Sequence, residues 1–250
     1  MNETLNNKSL LKIVFSLIVL WIILFEFILP PDSFLPSPTS VIDTVKDLFG
    51  LYQFALGLLS TVTVVYVSLF LSYLLVWLFS AQLFNEDNPA NKLLLALEGI
   101  FEFIPAIIAA FILIYWFPSS EFTEIVFATV FSFFPLMIYV LKNKKNVPEE
   151  YLLFSRSLTF TDSSINRKVL FRALQPRIYD YLSELHLILW SLLIAFEYIK
   201  GGLGIGVVLG KALEYKDIAA IFLIMIIVSL IVFAGKMVII FIRNKFVVWE

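Results

Sequence analysis

Apolar residues in this chain come in long runs. The runs cover about 10–30, 55–84, 93–117, 122–141, 178–199 and 218–242. Each approaches or exceeds the about 20 residues that a helix needs to cross a hydrocarbon core of roughly 30 Å. A span must satisfy its own backbone hydrogen bonds in lipid, which a helix does internally. The pattern therefore predicts an all-α integral membrane protein of about six transmembrane helices, forming a single transmembrane domain over 1–250 without internal repeats. The first run follows Lys8 and Lys12, as a signal peptide would. It is too long for one and lacks a small-residue cleavage site, so it reads as an uncleaved first span.

Composition sharpens the class. Hydrophobic residues make up 60% of the chain and charged residues 15%, with a mean hydropathy of +0.93, more apolar surface than a soluble domain of this size hides. A net charge of -2 argues against a nucleic-acid partner, which needs a concentrated excess of Lys and Arg. With no Cys and one His, thiolate chemistry is excluded and a metal enzyme is disfavoured.

Orientation follows from the cations, which are held on the cytoplasmic side. An inside N-terminus places Lys8, Lys12, Lys92, Lys142, Lys144, Lys145, Arg156, Arg167, Lys168, Arg172, Arg177, Arg243 and Lys245 in the cytoplasm. Only Lys46, Lys200, Lys211 and Lys216 then lie outside, so both termini are expected to be cytoplasmic. The outer segment Pro30 to Ser40 is extended by its prolines. Ser40 then reads as the N-cap of a short amphipathic helix, with Val41, Val45, Leu48 and Phe49 at helical spacing and Gly50 at its end.

The loop 142–177 is longer than a compact bundle needs. Pro148 can open a helix whose first turn holds Glu149 and Glu150 and which runs to Leu158. Tyr151, Leu152, Phe154 and Leu158 are its apolar residues, mixed with Arg156. Thr161 or Asp162 can then cap a second helix carrying Ile165, Val169 and Ala173. Such a pair could dock in a groove of a soluble partner or lie on the inner lipid surface.

Polar residues inside spans cost roughly 2.5 to 3.5 kcal/mol each and tend to face protein or a wet path. His186, Trp190, Leu193 and Glu197 sit at offsets 0, 4, 7 and 11, on one helix face. They are candidates to line a pore, the alternative being packing within the bundle with His186 bonded to a backbone carbonyl. Glu98 and Glu102 share a face near the start of the third span, where they complement the helix dipole. Glu26 can reach the outer interface. The run Gly201 to Gly206 lacks the Gly-Lys-Ser/Thr ending and preceding strand of a phosphate loop. It reads as a turn or outer gate centred on Gly202 and Gly204, which leaves the chain without an ATPase of its own.

Several landmarks in order carry a resemblance: Leu35-Pro36-Ser37-Pro38 with Val41, Ile104-Pro105 followed by Trp116-Phe117, Phe133-Phe134-Pro135, Val147-Pro148-Glu149, Pro176, Trp190, Glu197 and Gly202-Leu203-Gly204. Together they resemble the permease subunits of binding-protein-dependent ATP-binding-cassette (ABC) importers, in particular the nitrate, sulfonate and taurine branch. The chain departs from that pattern where the family usually reads Glu-Ala-Ala and a later Gly, having Leu153-Phe154-Ser155 and Thr159, and Arg172 stands where a Pro is usual. The resemblance implies a type I importer permease with coupling helices between spans four and five. Glu149, Glu150, Tyr151, Phe154, Arg156, Leu158, Asp162, Ile165 and Arg172 would contact separate ATPase subunits. It implies a second permease subunit, identical or related, an external binding protein that delivers a small solute, a lipid setting in the bacterial cytoplasmic (inner) membrane, and no cofactor on this chain, ATP and Mg being used by the ATPases. The alternatives are the membrane coupling subunit of an energy-coupling-factor vitamin importer, suggested by Ser155-Arg156-Ser157, and a membrane scaffold that transports nothing.

Overall fold

The computed structural model of the chain describes residues 7–29, 35–85, 88–101, 103–118, 122–158 and 160–247. Every regular element among them is helical. In chain order they are α1 (Asn7–Ile22), a π-helical turn (Ile23–Ile28), α2 (Pro38–Gly50), α3 (Phe54–Leu83), α4 (Pro89–Phe101), α5 (Ala106–Trp116) and α6 (Thr123–Asn143). A 3-10 turn (Lys144–Asn146) leads to α7 (Glu149–Ser157) and α8 (Asp162–Ser164). A second π-helical stretch (Ile165–Leu170) then runs into α9 (Phe171–Lys200), followed by α10 (Ile205–Glu214) and α11 (Ile218–Phe246).

Helix length and apolarity support four crossings among the described residues, against the six expected: Phe54–Leu83, Thr123–Asn146, Asp162–Lys200 and Ile218–Phe246. The expected third span is broken. Its halves α4 and α5 are bent by 103°, and together they could make a fifth crossing. Pro105 supplies the physical reason: it caps α5 in an extended conformation, has no N–H to donate, and keeps Ile104 out of the helical region. The expected first span is a 16-residue α-helix that widens into the π-turn, so its α-helical part falls short of the about 20 residues of a crossing. Pro30 to Phe34, Glu102, Thr159 and the side chains of Lys8 and Glu98 lie outside what is described.

Contacts group the chain into two units, Met1–Ala55 with Val208–Ser229, and Leu56–Val207 with Leu230–Glu250. In the first, α2 starts earlier than expected. Ser37, not Ser40, is the N-cap, its Oγ accepting from Ser40 N at 3.2 Å. Pro38 at the first helical position explains this, because its φ is already helical and its missing N–H is one the helix start leaves unpaired. Glu26 accepts from both N and Oγ1 of Thr39, and Trp21 Nε1 donates to Pro36 O at 3.1 Å. Tyr52 OH donates to Asp217 Oδ2 at 2.9 Å, and Asp217 Oδ1 accepts from Ala220 N.

In the second unit, α6 and α9 make the most extensive pairing. Phe127 and Phe196 stack with centroids 4.5 Å apart, and Ala110 joins them in a buried cluster. Hydroxyls fasten α3 to α6: Ser68 to Ile125 O, Ser72 to Thr129 O, and Ser72 against Ser132 at 2.7 Å. Small polar residues suit this role in lipid, where they let helices approach and bond across the gap. The fifth expected span, 178–199, begins much earlier. Helix runs from Asp162 to Lys200 without a break, 39 residues, so the expected second helix of the loop is the first part of the span itself. Pro176, expected to close the loop, lies buried inside α9.

Candidate functional site

The stripe on α9 forms as its spacing requires, but it faces protein. His186, Trp190, Leu193 and Glu197 are 0 to 2% exposed, so none presents surface to a path along this chain. His186 Nε2 bonds the Val232 carbonyl at 3.1 Å, its ring stacks on Tyr66, and a Cβ at Gly235 would strike both Tyr66 OH and the imidazole. The missing side chain at Gly235 lets α11 approach α9 closely. Pore lining gives way here to helix packing, for an energetic reason: a polar atom in lipid is least costly when another helix supplies its partner.

Glu197 is the centre of a polar clasp. Its Oε1 accepts from Thr61 Oγ1 at 2.7 Å and its Oε2 from Gly206 N at 2.9 Å, while Thr61 Oγ1 accepts from Ile205 N at 2.9 Å. The two N–H groups belong to the first turn of α10, where donors lack partners within their own helix and attract negative charge. One carboxylate and one hydroxyl thus tie α3, α9 and the start of α10. The glycines make room for it. Gly201 and Gly202 have φ of +77° and +95°, conformations that favour glycine. A Cβ at Gly204 would overlap the Glu197 carboxylate, and one at Gly206 the backbone of Ile194 and Tyr198. The expected turn at Gly202 and Gly204 is therefore present, as a close-packed turn leading into α10.

Beside the clasp lies a feature not visible in sequence. Lys200 Nζ and Glu124 Oε1 pair at 2.9 Å with both side chains largely buried, bringing the end of α9 to the start of α6. Ser60, Thr63 and Gly202 join them around a cavity of about 600 Å3. The signal was one Lys at a span's end and one Glu at another's start, 76 positions apart, which no periodicity links.

The loop after α6 keeps its expected first helix, as α7. Pro148 is the N-cap residue of α7, Glu149 and Glu150 occupy the first turn, and Arg156 the last. Tyr151, Leu153, Phe154 and Leu158 are exposed by 50% or more, while Ser155 is buried against the body. Thr161 caps the next helix, its Oγ1 accepting from Ser164 N, and Asp162 is exposed behind it. Ile165, expected at the docking surface, is 4% exposed and packs inward. The π-helical stretch also anchors α3: Asn166 Nδ2 donates to Ala81 O, and the Arg167 guanidinium lies 4.5 Å over the Trp77 ring. Asn166 thus serves a helix end. Arg172 is exposed on the side of α9 that faces Pro148 and Tyr151.

Long apolar helices fastened by internal polar bonds, with a short helix turned outward between two of them, define a multi-pass membrane protein. The family described as binding-protein-dependent transport system inner membrane component matches residues 75–247, and the chain belongs to it. It is thus a permease component of an ABC transport system. A comparison with curated proteins gives no match.

Proposed function

We propose that this chain is the path-forming permease of an ATP-driven importer in a bacterial inner membrane, working as a pair with an identical or related permease. An external binding protein delivers a small solute, and separate ATPase subunits bind ATP and Mg and engage the loop that contains α7. The family fixes the general role. The observation that carries the importer mechanism is the exposed apolar face of α7. Tyr151, Phe154 and Leu158 recur at offsets 0, 3 and 7 and stand out from a cation-rich loop. Apolar side chains at helical spacing suit insertion into a groove on a soluble protein, and Glu149, Glu150 and Arg156 can form the polar rim of that contact.

The resemblance to the nitrate, sulfonate and taurine branch supports a small charged solute. Within this chain, the cavity beside Lys200 and Glu124 offers polar lining that the buried α9 stripe does not, and we assign the outer part of the path to it. The glycine turn and the Glu197 clasp hold the adjoining wall. Phe154→Asp provides the test. Purified from membranes containing its partners, the wild-type chain should carry a stoichiometric ATPase, and the variant should lose at least about tenfold of it, since one desolvated aromatic anchor contributes on the order of 2 kcal/mol or more. Equal ATPase recovery with both chains would overturn the docking assignment.

A further inference from the structure

Three cations of the loop border one groove. Lys168, Arg172 and Arg177 border it from the helix 162–200, facing the segment that leads into α7, and it encloses about 640 Å3. Among the described residues, no carboxylate is part of its lining. The rest of its lining is largely apolar: Val147, Pro148, Val169, Ala173, Leu174 and Pro176. A free phosphate needs the cations but gains nothing from such a lining. A molecule with an anionic head and hydrocarbon attached uses both.

Tyrosines outside the groove's lining mark the depth of the helix that borders it. Tyr139 and Tyr181 stack with centroids 4.1 Å apart, and Tyr73 and Tyr179 lie 6.1 Å apart. Tyrosine is enriched where hydrocarbon meets headgroups. Arg177 precedes Tyr179 by two positions. Lys168, nine residues before Arg177, stands about 13 Å further along the helix at 1.5 Å per residue. The groove therefore begins at headgroup level and extends into the aqueous phase.

We propose that this groove binds the phosphate of an anionic phospholipid of the inner leaflet at its membrane end, with the lipid's glycerol against Pro176 and the side-chain stem of Arg177. It rests on the orientation given above, in which the loop is cytoplasmic. Tyr151 of α7 forms part of the same lining, so a bound lipid braces the coupling helix.

Native mass spectrometry of the full chain, exposed to equal amounts of phosphatidylglycerol and phosphatidylcholine, tests the site. The wild type should retain phosphatidylglycerol in preference. Lys168→Gln with Arg177→Gln should reduce that preference on the order of tenfold, from the loss of two surface cations. Lys168→Arg with Arg177→Lys keeps the charge and should keep the lipid, which separates binding from folding. No preference in the wild type would overturn the proposal, as would displacement of the lipid by soluble glycerol phosphate, which would make this a site for a free phosphate ester. Unchanged lipid retention in the Gln variant, with loss of the co-purifying ATPase, would assign the groove to the protein partner instead. The orientation has its own readout, the labelling of single cysteines described below, so its failure is distinguishable from failure of the lipid site.

Discussion

Both oxygens of Glu197 are used: Thr61 donates to one and Gly206 N to the other. Glu197→Gln turns one acceptor into a donor, so at least one buried donor loses its partner. This should destabilise the protein by about 1–3 kcal/mol, read as a lower midpoint in thermal unfolding in detergent. Thr61→Val and Glu197→Gln together should cost less than the sum of the two, because they share one bond. Uptake by the properly folded fraction should be retained. A large loss of uptake at unchanged stability would instead return Glu197 to the solute path. Tyr52, outside the spans, gives a pH signature. Burial first, and then its bond to Asp217, push its hydroxyl up from 10.0 to about 12. The folded-state value is the higher one, so the stabilising contribution is fully present below pH 10 and disappears as pH rises to 12. Wild type should lose stability over that interval more steeply than Tyr52→Phe, and parallel unfolding curves would refute this.

Helix boundaries show where local signals prevail and where neighbours do. The start of α7 was legible because Pro148, Glu149 and Glu150 combine a fixed φ with charges that suit a helix N-terminus, and the Thr161 cap was legible for similar reasons. The continuation of α8 through α9 was not. Charges at 167, 168, 172 and 177 mark a loop by composition, yet Arg167 and Asn166 find partners on α3 that make the helix worth continuing. Docking of α7 belongs to this scale as well. Leu158→Asp, at the other end of the exposed stripe, should weaken ATPase recovery in the same direction as Phe154→Asp, whereas a contact made by Phe154 alone would leave Leu158→Asp indistinguishable from wild type.

For the molecule as a whole, the proposed orientation, drawn from the cation bias, puts α7 and the end of α11 inside and the turn at Gly201 to Gly204 outside. The chain has no Cys, so single cysteines introduced at Ser157 and Leu203, both exposed, report topology without background. In intact cells a membrane-impermeant maleimide should label Leu203→Cys, and Ser157→Cys only after permeabilisation. The reverse pattern would invert the orientation and with it the assignment of the loop to ATPases.

The lipid solvent, the helical class, the position of the outward-turned helix and the family landmarks were all legible in the residues alone. Each depends on runs, caps or spacing within one short segment, or on their order along the chain. Helix packing was needed for the rest: that the α9 stripe turns inward, that Pro105 breaks a span where Pro135 and Pro176 do not, and that Lys200 meets Glu124. An apolar helix in lipid has no solvated side to betray which face it buries, and its choice is made by helices distant in sequence. Polar side chains in the spans are therefore legible as constrained, while their partners become visible only once the helices are packed.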